Sequence, residues 1–361
     1  MKKVLFIASH RKDRSPSQRF RFEQYFGHLQ QNGFECHLSN LLSAEDDKAF
    51  YGSGNFSGKI SILIRSFLKR RKDVRTAKQY DIVFVQREAF MTGSTYFEKK
   101  LSRSGTKMIF DFDDSIWILD TSNANKKWEF LKDAEKTSRI ISFSHMVFAG
   151  NQYLADYAAR FNKNVKIVPT TIDTNEYKRI IPAEKKNTVC IGWSGSITTI
   201  KHFEYAIPFL LRIKEKYGDK VSIKVIGDSS YVNEALQIKG IAWIRQDEVK
   251  ELSEIDIGIM PLPDDEWTKG KCGLKGLQYM ALEIPTIMSP VGVNTEIISD
   301  GKNGFLAKGE DEWVEKISRL VDSEELRLQI GREGRNTVEA GYSVSAQQNN
   351  YVRYFNELLK G

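Results

Sequence analysis

Short, unbroken apolar runs recur along the chain, separated by stretches whose apolar positions fall at helical spacing. A continuous apolar run bounded by turn residues suits a strand buried on both faces, and the helical stretch after it supplies the crossover to a parallel neighbour. The first half predicts strands at 3–9, 34–38, 81–86, 107–112, 146–149 and 165–168, with helices at 16–32, 88–102, 130–142 and 151–161. The proline-bounded polar run PTTIDTNEYKRIIPAEKKN then interrupts the pattern. From Thr188 it restarts, with strands at 188–195, 221–227, 241–244, 255–260 and 286–289, and helices at 201–214, 231–238, 248–254, 311–323, 324–339 and 345–359. Strand and helix alternating in this way define an α/β protein of two βα-repeat domains. The predicted boundaries are 1–173, a linker at 174–187, a second domain at 188–344 and a C-terminal helix at 345–361.

Chain length agrees, since 361 residues exceed what one hydrophobic core normally organises. Hydrophobic content of 41% and charged content of 28% are ordinary globular values, which argues against disorder. No apolar run approaches the length of a membrane span. Cys36, Cys190 and Cys272 are far apart and outside any metal-ligand spacing, which favours free thiols in a reducing compartment and a cytoplasmic location. A net charge of +7 directs attention to anionic partners.

Two stretches concentrate that charge. Residues 57–80, SGKISILIRSFLKRRKDVRTAKQY, form a basic amphipathic segment. It reads either as a core-packed helix with a solvated basic face or as a patch that docks on anionic lipid headgroups, the latter through residues 59–78. Nucleic acid is disfavoured because the segment lacks interleaved exposed aromatics. The second stretch, Trp267 to Phe305, places Lys269, Lys271 and Lys275 around Gly270 and Gly273, just before a helix predicted from Leu274. Glycines let backbone approach a ligand closely, and a helix start turns free N–H groups outward, so lysines there suit a phosphate-bearing ligand.

The run CGLKGLQYMALEIPTIMSPVGVNTEIISDGKNGFLAKGEDEW resembles the donor-binding region of GT-B glycosyltransferases, most closely family 4, the glycosyltransferase group 1. ISFSHMVFAGNQYLADYAARFNKNVKIVPTTID is similar to the end of that family's acceptor domain, and CIGWSGSITTIKHFEYAI to its first donor-domain strand and glycine turn. The resemblance implies two Rossmann-like domains facing a cleft, with the C-terminal helix crossing back to the first. It implies sugar transfer, with retention, from a nucleotide-diphosphate sugar to a hydroxyl on a carbohydrate or lipid-linked acceptor in cell-surface polysaccharide or glycolipid synthesis. That donor is a substrate; no permanently bound cofactor and no metal are expected. The diphosphate would be held by Lys201 with the Gly195-Ser196 turn and by Lys275 or Lys271, beside Gly273 and Leu274.

The chain also departs from the family. Two glutamates commonly found there fall at Gly270 and Gln278. Gln278 would meet the ribose hydroxyls through its carbonyl oxygen, and Glu296 would reach the sugar or adjacent backbone. After the strand KMIFDF, where the family often has a histidine loop, stand Asp113 and Asp114, expected to position acceptor hydroxyls or act as general base. The missing acids leave two alternatives: a sugar-nucleotide-binding partner protein, or an epimerase on the same fold.

Overall fold

A computed structural model describes residues 1–51, 56–118, 133–181 and 188–360. The chain divides into two compact units, 1–170 with 347–361, and 171–346.

The first unit is built on a parallel sheet of strands β1 (Lys2–Ala8), β2 (Phe34–Asn40), β3 (Ile82–Gln86), β4 (Lys107–Phe112), β5 (Met146–Ala149) and β6 (Val165–Ile167), in the order β2-β1-β3-β4-β5-β6. These are the apolar runs of the sequence; β3 is buried at every position because helices cover both faces. One cover is the C-terminal helix Val344–Lys360. Its Phe355 lies within 6.5 Å of the rings of Phe6, Phe34, Phe84 and Phe148. Stacking at 4.2 Å on Tyr25 holds Tyr351 beside it.

In the second unit β7 (Val189–Ser194), β8 (Val221–Ile226), β11 (Ile257–Met260), β12 (Thr286–Met288) and β13 (Phe305–Leu306) form a parallel sheet in the order β13-β12-β11-β7-β8. Between β8 and β11, strands β9 (Val232–Asn233) and β10 (Ile238–Lys239) make a separate antiparallel hairpin. A helix was expected there. Asn233 instead accepts from the Leu236 backbone N–H at 3.1 Å, and Gln237 takes the left-handed conformation, closing a turn.

Several helices differ from their predicted spans. Residues 16–32 divide into Pro16–Arg19, a 3-10 turn at Glu23–Tyr25 and Phe26–Gln31, because Phe22 leaves the helical region. Only Tyr96–Ser102 of the span 88–102 is helical, and Lys136–Phe143 replaces 130–142, whose first residues lie outside the described ones. Predicted strand 241–244 is reduced to one bridge, Ile226 to Ile241. Of the expected linker, 182–187 lie outside the described residues, and 174–181 are not a free connector. There Tyr177 is fully buried and donates to Glu248 Oε2 at 2.6 Å, while Arg335 donates to the carbonyls of Thr174 and Tyr177.

Candidate functional site

The lysines singled out in the sequence stand at strand C-terminal ends in the second unit. After β7 comes the turn Gly195-Ser196, closed by Thr199, whose Oγ1 accepts from the Ser196 N–H at 2.9 Å. Any Cβ at Gly195 would fall 2.1 Å from Trp193, so the turn lies flat on that ring. Gly227, at the end of β8, has φ +130° and comes so near that a Cβ there would be 2.3 Å from the Gly195 carbonyl oxygen. A short helix, Ile200–Glu204, follows the turn and carries Lys201, exposed, and His202, buried.

The loop after β11 supplies the other lysines. Asp265 caps the helix Glu266–Lys269, accepting from the Thr268 N–H at 2.8 Å, and Lys269 pairs with Glu266 at 2.7 Å. Lys271 stands 5.0 Å from the Trp267 ring, and Lys275 stands 5.4 Å from the Trp193 ring. Gly273, left-handed at φ +70°, opens the helix Leu274–Ala281, which no side chain caps. A Cβ at Gly273 would lie 2.4 Å from Ile297, and one at Gly292 would lie 2.6 Å from the Lys269 carbonyl oxygen. These glycines seat the loop after β12, with its helix Asn294–Ile297 and exposed Glu296, directly against the lysine loop.

His202 records how the charges converge. Burial and then the positive charges of Lys275, Lys271 and Lys201 push its imidazole down from 6.5 to about 4, with Asp265 acting in the opposite sense. Three lysines from two segments of the chain therefore act on one neutral histidine, whose Nδ1 is buried without a partner. Such an arrangement attracts a polyanion strongly. His202 escaped the sequence reading, and only its position next to Lys201 hinted at it.

Gln278 belongs to a second set of contacts in this unit. It is buried, and its amide donates to Tyr177 Oη and to Glu248 Oε1, each at 3.1 Å. Trp243 Nε1 donates to the same Glu248 at 2.9 Å. Both amide hydrogens are thus committed to a buried polar network, because position 278 falls on the part of the helix turned into the unit.

In the first unit the loops after β1, β3 and β4 meet. Arg87, left-handed at φ +61°, pairs with Asp113 at 2.9 Å and Asp114 at 2.7 Å. Ser17 donates to Asp113 at 2.6 Å, and Gln86 donates to Ser17 Oγ at 3.0 Å. A backbone strained by about 1–3 kcal/mol at a non-glycine residue marks a constrained position. Asp111 sits deeper, fully buried and paired with Arg21 at 2.5 Å. His10, after β1, contacts Tyr51 Oη at 3.0 Å and is pushed down to about 4 by burial and by Arg14. Both predicted carboxylates are thus held in an ion-paired cluster, and Arg87, which ties them together, was missed because a lone arginine after a strand carries no pattern. Among the described residues no cluster of His, Cys, Asp or Glu is suited to a metal ion.

The model for the family "Glycosyl transferases group 1" matches residues 188–323, the stretch that carries the glycine turns and the lysines. Over that stretch the chain is similar to the group 1 glycosyltransferases. As a whole the chain has the GT-B fold: it superposes on sucrose-phosphate synthase from Thermosynechococcus elongatus with a TM-score of 0.71 at 12% identity, covering 100% of both chains. HepE from Anabaena, solved with UDP and glucose, gives 0.67 at 14% identity over 99% of this chain and 100% of the other. Among relatives, the capsular polysaccharide biosynthesis glycosyltransferase CapM of Staphylococcus aureus is 32% identical over 52% of this chain and 51% of its own. An uncharacterized 41.2 kDa protein in the cps region of Klebsiella pneumoniae is 24% identical over 73% of this chain and 74% of its own.

Proposed function

We propose that this chain is a glycosyltransferase that moves a hexose, with retention, from a nucleotide-diphosphate sugar to a hydroxyl of a carbohydrate or lipid-linked acceptor in capsule or other cell-surface polysaccharide synthesis. The observation that carries the reading is the convergence of Lys201, Lys271 and Lys275 on His202 beside the glycine turns at Gly195 and Gly273. In the reaction the bond from the anomeric carbon to the diphosphate oxygen breaks with its electron pair on the phosphate, and the acceptor oxygen bonds to that carbon as its proton passes to the departing diphosphate. Lysines fixed around the diphosphate stabilise the charge that builds on it, a contribution that grows toward the transition state. Ser196, Leu274 and Glu296 line the same loops, and we assign Glu296 to the sugar. UDP as the leaving group is supported by the UDP complex of HepE, and the polysaccharide role by the names of CapM and the cps-region protein.

On the acceptor side, Asp113 and Asp114 orient acceptor hydroxyls as a pair fixed by Arg87. The acceptor is met at the cytoplasmic face of an anionic membrane, contacted through residues 59–78. The test is to incubate the full chain with a panel of nucleotide sugars and candidate acceptors and follow nucleoside diphosphate release. Lys201→Ala, Lys271→Ala and Lys275→Ala are each expected to lower UDP affinity and kcat/KM by about 10- to 100-fold, the range for a charge-assisted hydrogen bond. Binding of nucleotide sugar without acceptor-dependent release would remove the transferase mechanism and leave a binding protein.

A further inference from the structure

The helix Phe56–Thr76 is turned opposite to what its composition suggests. Its buried stripe, at i, i+3, i+7, i+11, i+14 and i+18, carries Lys59, Ile62, Ser66, Arg70 and Asp73, with Ala77 just beyond the helix. Isoleucine, phenylalanine and leucine face outward: Ile60 is 40% exposed, Ile64 57%, Phe67 42% and Leu68 57%. Arg70 sets this orientation. Fully buried, it pairs with Asp73 at 2.8 Å and donates to the Ala8 carbonyl at 2.7 Å and the Ser39 carbonyl at 3.1 Å, at the ends of β1 and β2. Ser39 Oγ donates to the same Asp73 at 2.7 Å. Rotating the helix to bury its apolar side would strand that guanidinium and the carbonyls it satisfies, so the outward face is locked in place.

This face has a definite layout. Ile60, Ile64, Phe67 and Leu68 lie on one stripe, and the stripe continues over the next turns as Arg71 and Arg75, with Lys72 alongside, all exposed. A shallow depression of about 290 Å³ at its centre is lined by Leu63, Ile64, Phe67, Leu68 and Phe90. Contiguous exposed apolar surface rimmed by charge marks an interaction site, and an apolar centre with a cationic border matches a bilayer whose headgroups are anionic. Pairing two copies through this face would bury Arg71, Lys72 and Arg75 against a stripe that carries no acidic residue to pair with them, a desolvation cost with no compensating charge.

We propose that this face is the surface by which the chain inserts into an anionic lipid bilayer, with Ile60, Ile64, Phe67 and Leu68 entering the acyl boundary and Arg71, Lys72 and Arg75 meeting the headgroups. It rests on the membrane contact in the proposed function and is independent of which sugar is transferred.

Co-sedimentation of the full chain with vesicles tests it, comparing phosphatidylcholine alone with phosphatidylcholine carrying phosphatidylglycerol. Partitioning should be at least tenfold stronger on the anionic vesicles and fall with added salt. The triple variant Arg71→Gln, Lys72→Gln, Arg75→Gln should weaken it by about fivefold per charge removed. Ile64→Ser with Leu68→Ser, the two most exposed positions of the stripe, should weaken it on the same vesicles while leaving thermal stability and UDP binding as in the parent. Binding that is absent, indifferent to lipid charge or unchanged in both variants overturns the proposal. So does light scattering that shows a dimer dissociated by Ile64→Ser and Leu68→Ser, since the face would then be a subunit interface. UDP release with a water-soluble acceptor, followed in parallel, separates loss of docking from failure of the transfer reading.

Discussion

At the scale of single residues, chemistry depends on what surrounds each group more than on its type. Gln278 occupies a position where the family commonly carries glutamate, yet here its amide hydrogens serve Tyr177 and Glu248. Restoring the acid should therefore harm the protein. Gln278→Glu would replace two donated hydrogen bonds with an acceptor facing Glu248, and urea denaturation at pH 7 should show a loss of about 1–3 kcal/mol. His202 makes the opposite point, since its environment suppresses a charge. Its folded-state pKa of about 4 lies below the ordinary 6.5, so the unfolded chain takes up its proton first. The neutral histidine's stability is complete above about pH 6.5 and is lost as pH falls through that value toward 4. Lowering pH from 7 to 5 should cost about 1–2 kcal/mol at this residue. His202→Gln should shrink the difference between urea midpoints at the two pH values, while His10, shifted the same way, keeps part of it.

At the scale of elements, the parallel strands were legible because each is an unbroken apolar run with turn residues at both ends. Helices were less so. The span 16–32 has helical apolar spacing throughout, yet Phe22 breaks it in the structure, where neighbouring Arg21 reaches Asp111. Residues 231–238 carry too few apolar positions to separate a helix from a hairpin, and the Asn233 turn decided between them. The helix Phe56–Thr76 shows the largest gap between pattern and structure. Apolar residues occur on more than one of its sides, so periodicity identified a helix without identifying its inner face. That choice came from Arg70, whose partners Ala8, Ser39 and Ala89 belong to separate segments of the chain.

At the scale of the whole molecule, the glycine and lysine loops of the second unit and the carboxylates of the first lie at the C-terminal ends of parallel strands, where α/β sheets place their ligands. The C-terminal helix matters at this scale because its body completes the core of the unit that holds the N-terminus. Tyr351 donates to the Arg21 carbonyl, and Phe355 fills the space among Phe6, Phe34, Phe84 and Phe148. Phe355→Ala should cost about 3–5 kcal/mol through lost burial and the cavity left behind. Differential scanning calorimetry should show the loss in the transition of the first unit.

The two βα repeats, the glycine turns and the lysine-rich loop were legible in the residues alone, because these are local: hydrophobic period selects strand or helix, and a positive φ or a close backbone approach selects glycine. The residues also carried the family resemblance in the run from Cys272 onward. Chain packing alone brings the charges of Lys201, Lys271 and Lys275 to bear on His202, ties Gln278 into a buried network, sets Arg87 on Asp113 and Asp114, and turns one side of the helix Phe56–Thr76 outward. Each of these depends on groups far apart in the chain, whose mutual distance is set by strand order and packing and leaves no period in the sequence.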